Sequence, residues 1–194
     1  MNEIKEKIIK ALTKTCREGI EDLIAYLTAI GFFEAPASSA NHLHCEGGLA
    51  EHSYNVFKHA HNIALALMPD ALYKELQDSI TIAALLHDVG KCGDHGRKMY
   101  VENILKSGKA SDAKPYKRNP DLLPIDHATR SLCIINRFID LTEQEEFAIR
   151  FHDGLYESAN YALRGAETPL SITIHTADLW ASHITEIQED KENG

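Results

Sequence analysis

Hydrophobic residues recur at helical spacing along most of the chain. One such set near the N-terminal end is Ile20, Leu23, Ile24, Leu27 and Ile30. Apolar residues three and four positions apart lie on one face of a helix, and Gly31 is typical of the residue that ends one. The preceding segment, residues 1–14, is charged and amphipathic. The pattern therefore predicts helical structure before residue 34.

Five further helices are predicted from apolar periodicity and start signals. They cover 47–67, 70–88, 126–140, 141–154 and 168–187. The start signals are Gly47 with Gly48, Asp70 and Asp126 as N-caps, the capping box of Thr142 and Glu145, and Thr168 followed by Pro169. The segment 80–86 turns apolar on every side, which is typical of a buried helix.

Residues 92–125 break this pattern, because glycines, prolines and charges are dense there. We expect a long loop, with a short hairpin formed by 98–105 and 113–119. A loop of this length inside a compact domain is usually functional or disordered. Its position directly after His87 and Asp88 suggests a lid on the substrate side. The predicted fold is thus all-α, with about five core helices, N-terminal helices and an insertion at 92–125.

Composition and charge narrow the class of protein. The chain has 194 residues, 44% hydrophobic and 25% charged, which predicts one globular domain. Its four cysteines form no CxxC pair, so we expect reduced thiols and a cytoplasmic location. No apolar run reaches the roughly 20 residues of a membrane span, and we expect no signal peptide and no membrane partner. A net charge of −9 disfavours binding of long nucleic acid but leaves a small anionic substrate open.

Polar residues on otherwise apolar helices are the strongest chemical signal. They are His52, His87, Asp88, His127, His152 and Asp178. Any one of them alone is more often a packing or hydrogen-bonding residue than a ligand. However, each of five predicted helices carries a His, an Asp or the His-Asp pair. Four of these five positions lie near a helix end, where residues from different helices can come close together. Imidazole and carboxylate together suit first-row transition metals.

The spacing also suggests two metal ions. His87 and Asp88 are consecutive, so a carboxylate beside an imidazole can bind one metal and bridge to a second. His52, His87, Asp88 and Asp178 then surround the first metal, and His127 and His152 remain for the second. Two metals about 3.5–4 Å apart suit a displacement at phosphorus.

These segments resemble the HD-domain superfamily of metal-dependent phosphohydrolases. The resemblance lies in "SANHLHCEGGLAEHS", "ALLHDVGK", "IDHATRS", "AIRFHDG" and "LSITIHTADLWAS", and covers roughly residues 35–186. It implies a bundle of about five core helices and the same six metal ligands. Lys91 follows the His-Asp pair in the family's usual place for a lysine that meets a substrate phosphate. The implied organisation is a single HD domain over 1–194, with an N-terminal helical segment 1–34, a core 35–186 and a frayed tail 187–194.

The chain departs from one branch of this family. Two-metal members that act on cyclic dinucleotides carry a Gly-Tyr-Pro motif after a paired histidine, and "FHDGLYESAN" has neither. Cyclic-dinucleotide specificity is therefore not carried over.

The predicted function is metal-dependent hydrolysis of a phosphate ester of a nucleotide or another small phosphorylated compound. Asp88, Lys91 and Arg130 are the predicted catalytic residues. The predicted substrate contacts are His42, Lys91, Arg97, Lys98 and Arg130. The cofactor is expected to be two divalent ions among Mn, Fe, Ni, Co, Zn or Mg, since His and Asp ligands accept several ions. A di-iron oxygenase and a non-catalytic nucleotide-binding module remain alternatives, and the oligomeric state stays open.

Overall fold

The structure, a computed structural model, describes residues 2–187, with the side chains at positions 2, 156, 158, 159 and 162 excepted. Within this range the fold is mostly helical. The α-helices are α1 (Asn2–Lys14), α2 (Ile20–Ala29), α3 (Gly48–Leu67), α4 (Asp70–Leu86), α5 (His127–Ile135), α6 (Glu143–Arg150) and α7 (Pro169–Trp180). The strands are β1 (Gly93–Asp94), β2 (Arg97–Lys98), β3 (Tyr100–Glu102) and β4 (Tyr116–Arg118). The all-α prediction is confirmed.

Helix α4 forms the centre of the bundle. It packs against α3, α6 and α7, and α1 covers the α3–α4 pair. Every residue from Ile80 to Val89 is buried, as the apolar pattern predicts. Burial of aliphatic side chains is the main favourable term in folding. The same buried helix carries His87 and Asp88 into the interior of the protein.

The helix starts agree with the sequence at four positions, including Gly47 at α3, and differ at one. The Asp126 side chain accepts a hydrogen bond from the Thr129 amide, and Thr142 forms its capping box. Thr168 caps α7 with Pro169 in the first turn. The prediction that Asp70 is an N-cap is wrong, because Pro69 holds the extended backbone of that position and Asp70 already lies in the first turn. An acidic residue there still interacts favourably with the helix dipole.

The insertion at 92–125 contains two small antiparallel pairs, β1–β2 and β3–β4. The predicted hairpin is confirmed: Tyr100 lies opposite Arg118, and Glu102 opposite Tyr116. Its far strand is tied to the rest of the protein, since the amide of Tyr116 donates to the Ser39 carbonyl at 3.3 Å. The hairpin is therefore a fixed wall beside the α2–α3 connection.

Two sequence predictions about the chain as a whole remain untested. The tail predicted at 187–194 lies, from residue 188 on, outside the described residues. The boundaries at 34/35 and 186/187 stay predictions. Among residues 2–187, no helix combines the length and the apolar character that a membrane crossing requires.

Candidate metal centre

The six predicted ligands come together at one place in the bundle. His52 lies in the second turn of α3, and His87 and Asp88 directly follow α4. His127 is the first residue of α5, His152 follows the end of α6, and Asp178 lies in the last turn of α7. Local signals explain most of this placement, because the Asp126 cap and the capping box of α6 set where α5 and α6 begin.

The His-Asp segment depends on a close approach at Gly90. After α4, residues 89–92 form a 3₁₀ turn that packs against α5. A Cβ atom on Gly90 would lie 2.2 Å from the carbonyl oxygen of His127. The Gly90 amide donates to the Ser131 hydroxyl at 2.9 Å. Glycine at this position therefore lets Asp88 and His127 approach each other.

Hydrogen bonds to the Nδ1 atoms fix how the imidazoles are presented. Nδ1 of His87 lies 2.9 Å from the Ala84 carbonyl, and Nδ1 of His152 lies 2.8 Å from the Ile149 carbonyl. A carbonyl oxygen only accepts, so each Nδ1 carries a proton. In the neutral ring, Nε2 then turns an unprotonated lone pair towards the cluster. This is the usual arrangement of a metal-binding histidine.

The Nε2 atoms form two close pairs. Those of His52 and His87 are 3.3 Å apart, and those of His127 and His152 are 3.1 Å apart. Two nitrogens about 2.1 Å from one ion stand about 3.0 Å apart at a right angle and about 3.4 Å apart at the tetrahedral angle. Each pair therefore has the separation of two ligands of one ion.

Asp88 lies between these two pairs. Its Oδ2 atom is 3.5 Å from Nε2 of His52 and 3.4 Å from Nε2 of His87. Its Oδ1 atom is 3.3 Å from Nε2 of His127 and 3.5 Å from Nε2 of His152. Oδ1 is buried without a hydrogen-bond partner among the described residues. A buried carboxylate is unfavourable unless a cation, either a protonated imidazole or a metal ion, balances its charge.

The remaining predicted ligand, Asp178, belongs to the first pair. Its Oδ1 atom is 3.1 Å from Nε2 of His52 and 4.0 Å from Nε2 of His87. In each of three sets at the centre, the ligand atoms lie within 4.8 Å of one another. They are those of His52, His87 and Asp88, those of Asp88, His127 and His152, and those of His87, His152 and Asp178.

Two acidic residues at the centre were missed in the sequence. Asp153 lies 3.2 Å from Nε2 of His127 and 3.6 Å from Nε2 of His152. Glu186 is fully buried and accepts from Nδ1 of His52 at 3.0 Å. The signal for Asp153 was present, because "FHDG" repeats the adjacent His-Asp of "LHDVG". No local sequence pattern indicated Glu186. The π-helical turn at Ala181–Thr185 lies between it and Asp178, so regular helical spacing does not relate the two residues.

The charges of this cluster favour cations. Burial opposes ionisation of Asp178, but the hydrogen bond and charge of His52 lower its pKa. The pKa of Asp153 falls to about 2, because His127 and His152 outweigh its burial. Burial alone would lower the pKa of His52, yet Asp178 and Glu186 raise it to about 10. The carboxylates therefore stay ionised, and positive charge compensates them.

The predicted basic residues lie at different distances from this cluster. The Lys91 ammonium is 2.6 Å from Oδ2 of Asp88. His42 is half-buried with its ring centroid 5.1 Å from that of His52, and burial lowers its pKa to about 4. It is therefore a neutral hydrogen-bonding group rather than a cation at pH 7. Both His42 and Lys91 line a cavity of about 240 Å³ that also contacts Asp178.

The other three basic residues lie away from the ligand atoms. Arg130 is buried and donates to the Leu123 carbonyl at 2.8 Å, and none of its described contacts is with the cluster. Arg97 is exposed and donates to the Asp121 carbonyl. Lys98 lines a second, larger cavity that also contacts Lys91. The structure thus brings Lys91 and His42 to the centre but not Arg130 or Arg97.

Comparison with known proteins identifies the segment that carries this centre. The family model of the HD domain matches residues 49–129, which include His52, His87, Asp88 and His127. The match covers four of the six predicted ligands and less than half of the chain. The predicted resemblance is thereby confirmed.

A curated relative is an HD-type phosphodiesterase. The dihydroneopterin 2′,3′-cyclic phosphate phosphodiesterase of Methanocaldococcus jannaschii is 38% identical over 98 residues, which are 50% of this chain and 37% of that protein. The chain therefore matches little more than a third of that relative's length. No solved structure gave a significant match.

Proposed function

We propose that this protein is a metal-dependent phosphohydrolase that cleaves a phosphate ester of a nucleotide or another small phosphorylated compound. The observation that carries the proposal is the placement of Asp88, whose two oxygens face two separate histidine pairs. A carboxylate in this position is suited to bridge two divalent ions. The HD domain and the phosphodiesterase relative support the reaction class.

The ligand groups are those found in the cluster. His52, His87, Asp88 and Asp178 would hold one ion, and Asp88, His127, His152 and Asp153 the other. When bound, divalent ions at these positions supply Lewis acidity towards phosphoryl oxygens and lower the pKa of coordinated water towards neutrality. Imidazole and carboxylate donors suit Mn, Fe, Co, Ni and Zn, and the carboxylates also suit Mg.

Lys91 is the chain's own candidate for contact with the phosphoryl group. Burial opposes its charge, but Asp88 and Asp178 raise its pKa, so the side chain is an ammonium at neutral pH. It reaches both cavities beside the centre. A fixed ammonium there stabilises negative charge that develops on phosphoryl oxygens. His42, neutral and facing the smaller cavity, is suited to hydrogen-bond the same group.

We assign the two arginines different roles. The Arg130 Cβ atom lies beside Gly90, 3.0 Å from where a Cβ atom on that glycine would be, and the Arg130 guanidinium donates to the Leu123 carbonyl. It therefore positions α5 rather than contacting substrate. Arg97 and Lys98 lie on β2, where they are exposed and able to meet a distal part of a ligand.

The proposal is tested by metal content and phosphate release in wild type and in His127→Ala. Elemental mass spectrometry should find two ions per chain in the wild type and about one in the variant. Metal-dependent release should appear on a panel of nucleoside monophosphates, 2′,3′-cyclic phosphates and bis(p-nitrophenyl) phosphate. The panel also separates monoesterase from diesterase activity. His95→Ala, which removes an exposed histidine, is the matched control and should keep both ions.

Three results would contradict the proposal. One ion per chain in both proteins would mean that His127 and His152 form no second site. Two irons with oxygen uptake and no phosphate release would favour the oxygenase alternative. Nucleotide binding without turnover of any ester, at full metal loading, would favour a non-catalytic binding module.

A further inference from the structure

A cavity beside the metal centre is lined by residues of the β3–β4 hairpin and of 30–36. It has a volume of about 750 Å³, and we call it the hairpin slot. Its lining residues include Ile30, Glu34, Pro36, Glu46, Lys91, Lys98, Tyr100, Glu102 and Tyr116. A cavity of a few hundred Å³ or more with mixed apolar and polar lining is typical of a small-molecule site.

One wall of the slot is a single face of the hairpin. Tyr100 and Glu102 are two residues apart on β3, and Tyr116 lies directly opposite Glu102 on β4. Side chains in these positions share a face of a two-stranded sheet. Two tyrosine rings and a carboxylate therefore stand together on this face. Ile30 and Pro36 also line the slot and add apolar surface, which suits the face of an aromatic ring.

The inner end of the slot reaches the metal centre. Lys91 lines the slot and is also 2.6 Å from Asp88. Tyr100 lines both the slot and a cavity of about 230 Å³ that contains His127 and Asp153. A molecule that lies in the slot can therefore present one end to Lys91 and the cluster.

The charge of the slot restricts what its outer part accepts. Glu34, Glu46 and Glu102 are exposed residues that line the slot. The slot is lined by three carboxylates and two lysines, Lys91 and Lys98, so its charge is net negative. This charge disfavours binding of a second phosphate in the slot. A carboxylate has two acceptor oxygens and no donor when ionised. It therefore matches a ring edge that offers two adjacent N–H donors.

We propose that the hairpin slot binds a planar nitrogenous ring of the substrate, with Glu102 accepting from adjacent ring and exocyclic N–H groups and Tyr116 stacking on the ring. Guanine and pterin rings share this lactam and amino edge. The inference rests on the proposed function, because it assumes that the phosphate of the substrate binds at the metal centre. The slot is then assigned to the ring at the other end of the same molecule.

Binding measured by calorimetry on the purified full chain tests the role of Glu102. Guanosine 5′-monophosphate should bind about tenfold more tightly than inosine 5′-monophosphate, which lacks the exocyclic amino group, since hydrogen bonds to charged groups are stronger than neutral ones. In Glu102→Gln this ratio should fall to near one, while ribose 5-phosphate binds as to wild type. Glu75→Gln, on the exposed side of α4, is the matched control and should keep the ratio. An unchanged ratio in Glu102→Gln would overturn the assignment.

The stacking contact is tested separately. Tyr116→Ala should weaken guanosine monophosphate binding about tenfold, because base stacking on an aromatic ring is lost. Tyr116→Phe should keep it, and ribose 5-phosphate should bind equally to all three proteins. Equal losses in Phe and Ala, or a loss for ribose 5-phosphate, would contradict a stacking role. Neopterin monophosphate in the same titrations distinguishes a pterin substrate from a guanine nucleotide.

These outcomes are independent of the proposed hydrolase activity. If no ester on the panel is hydrolysed, including bis(p-nitrophenyl) phosphate, the proposed function fails while the ring preference still stands. If bis(p-nitrophenyl) phosphate is hydrolysed but the wild type binds guanosine and inosine monophosphates equally, the hydrolase stands and the slot assignment fails.

Discussion

At the scale of single residues, three histidines of the centre, His52, His87 and His152, have hydrogen-bond partners on the ring nitrogen that points away from the cluster. Nδ1 of His52 lies 3.0 Å from the buried carboxylate of Glu186, which also accepts from the Asn55 amide at 3.3 Å. This partner fixes the ring orientation and increases the basicity of Nε2. Glu186 is therefore a positioning residue.

We predict that Glu186→Ala weakens metal affinity about ten- to a hundredfold, as is usual when such a partner is lost. Glu186→Gln keeps an acceptor but loses the charge, so it should have a smaller effect. Metal affinity is measured by competition with a chelator of known affinity, and circular dichroism checks the fold. Wild-type affinity in both variants would show that Glu186 serves packing alone.

At the scale of elements, the contact between the turn after α4 and the start of α5 sets the distance between Asp88 and His127. A Cβ atom on Gly90 would lie 2.2 Å from the His127 carbonyl oxygen, and the Gly90 amide donates to the Ser131 hydroxyl, so the turn packs directly against α5. Asp88 is two residues before Gly90 in the sequence, and His127 provides the carbonyl that faces Gly90. Any displacement of α5 from this turn changes the distance between Asp88 and His127.

Gly90→Ala should disrupt this contact. The added methyl group would overlap the His127 carbonyl, and such overpacking typically costs about 1–3 kcal/mol of unfolding free energy. We also expect the variant to lose about one metal ion per chain, because His127 is displaced. Urea denaturation and elemental analysis measure the two effects.

The control for this variant is Gly96→Ala, where no atom lies within 4 Å of the added Cβ. Its left-handed backbone makes alanine somewhat strained, so a small loss of stability is expected without loss of metal. Equal metal loss in both variants would show that the effect is not specific to the turn.

At the scale of the whole molecule, a partly buried ion pair joins the α1–α2 turn to α6. The Arg17 guanidinium contacts both Glu145 oxygens, at 2.7 and 3.0 Å, and the Glu145 side chain is fully buried. Burial opposes ionisation, but hydrogen bonds from Arg17 and the Thr142 amide lower the pKa of Glu145 from its ordinary 4.5. Glu145 also forms the capping box of the helix that precedes His152.

The sign of the pH dependence follows from this lowered pKa. A depressed carboxyl pKa stabilises the folded state above the unfolded value, and the contribution is lost as the pH falls through the folded value. Arg17→Met should therefore reduce the unfolding free energy by about 3 kcal/mol at pH 7, because it leaves a buried charge unpaired. The difference from wild type should shrink below about pH 4.

Denaturant titrations of both proteins between pH 7 and pH 3 measure this difference. Lys7→Met removes the exposed pair with Glu3 and is the matched control. It should change stability little at any pH, since solvent screens exposed pairs. A gap between Arg17→Met and wild type that stays constant into acid would contradict the assignment.

The sequence by itself determined the helices, most of their caps, the position of the hairpin and the set of six polar residues. These features depend on spacing and on chemistry within a few residues, such as the Thr142 capping box. The His-Asp dipeptide and its neighbours also sufficed to predict the resemblance to the HD domain, which the family model confirms over residues 49–129.

Only the tertiary structure decided how those residues meet. Packing between helices far apart in sequence decides which oxygen of Asp88 faces which histidine pair. It also decides that Glu186 contacts His52 and that the Arg130 side chain does not contact the cluster. The hairpin slot likewise forms between residues 30–36 and a hairpin more than 60 residues later. Local sequence patterns do not predict which distant residues come into contact. The angles at which the helices cross and the π-helical turn at Ala181–Thr185 depend on how the whole core packs.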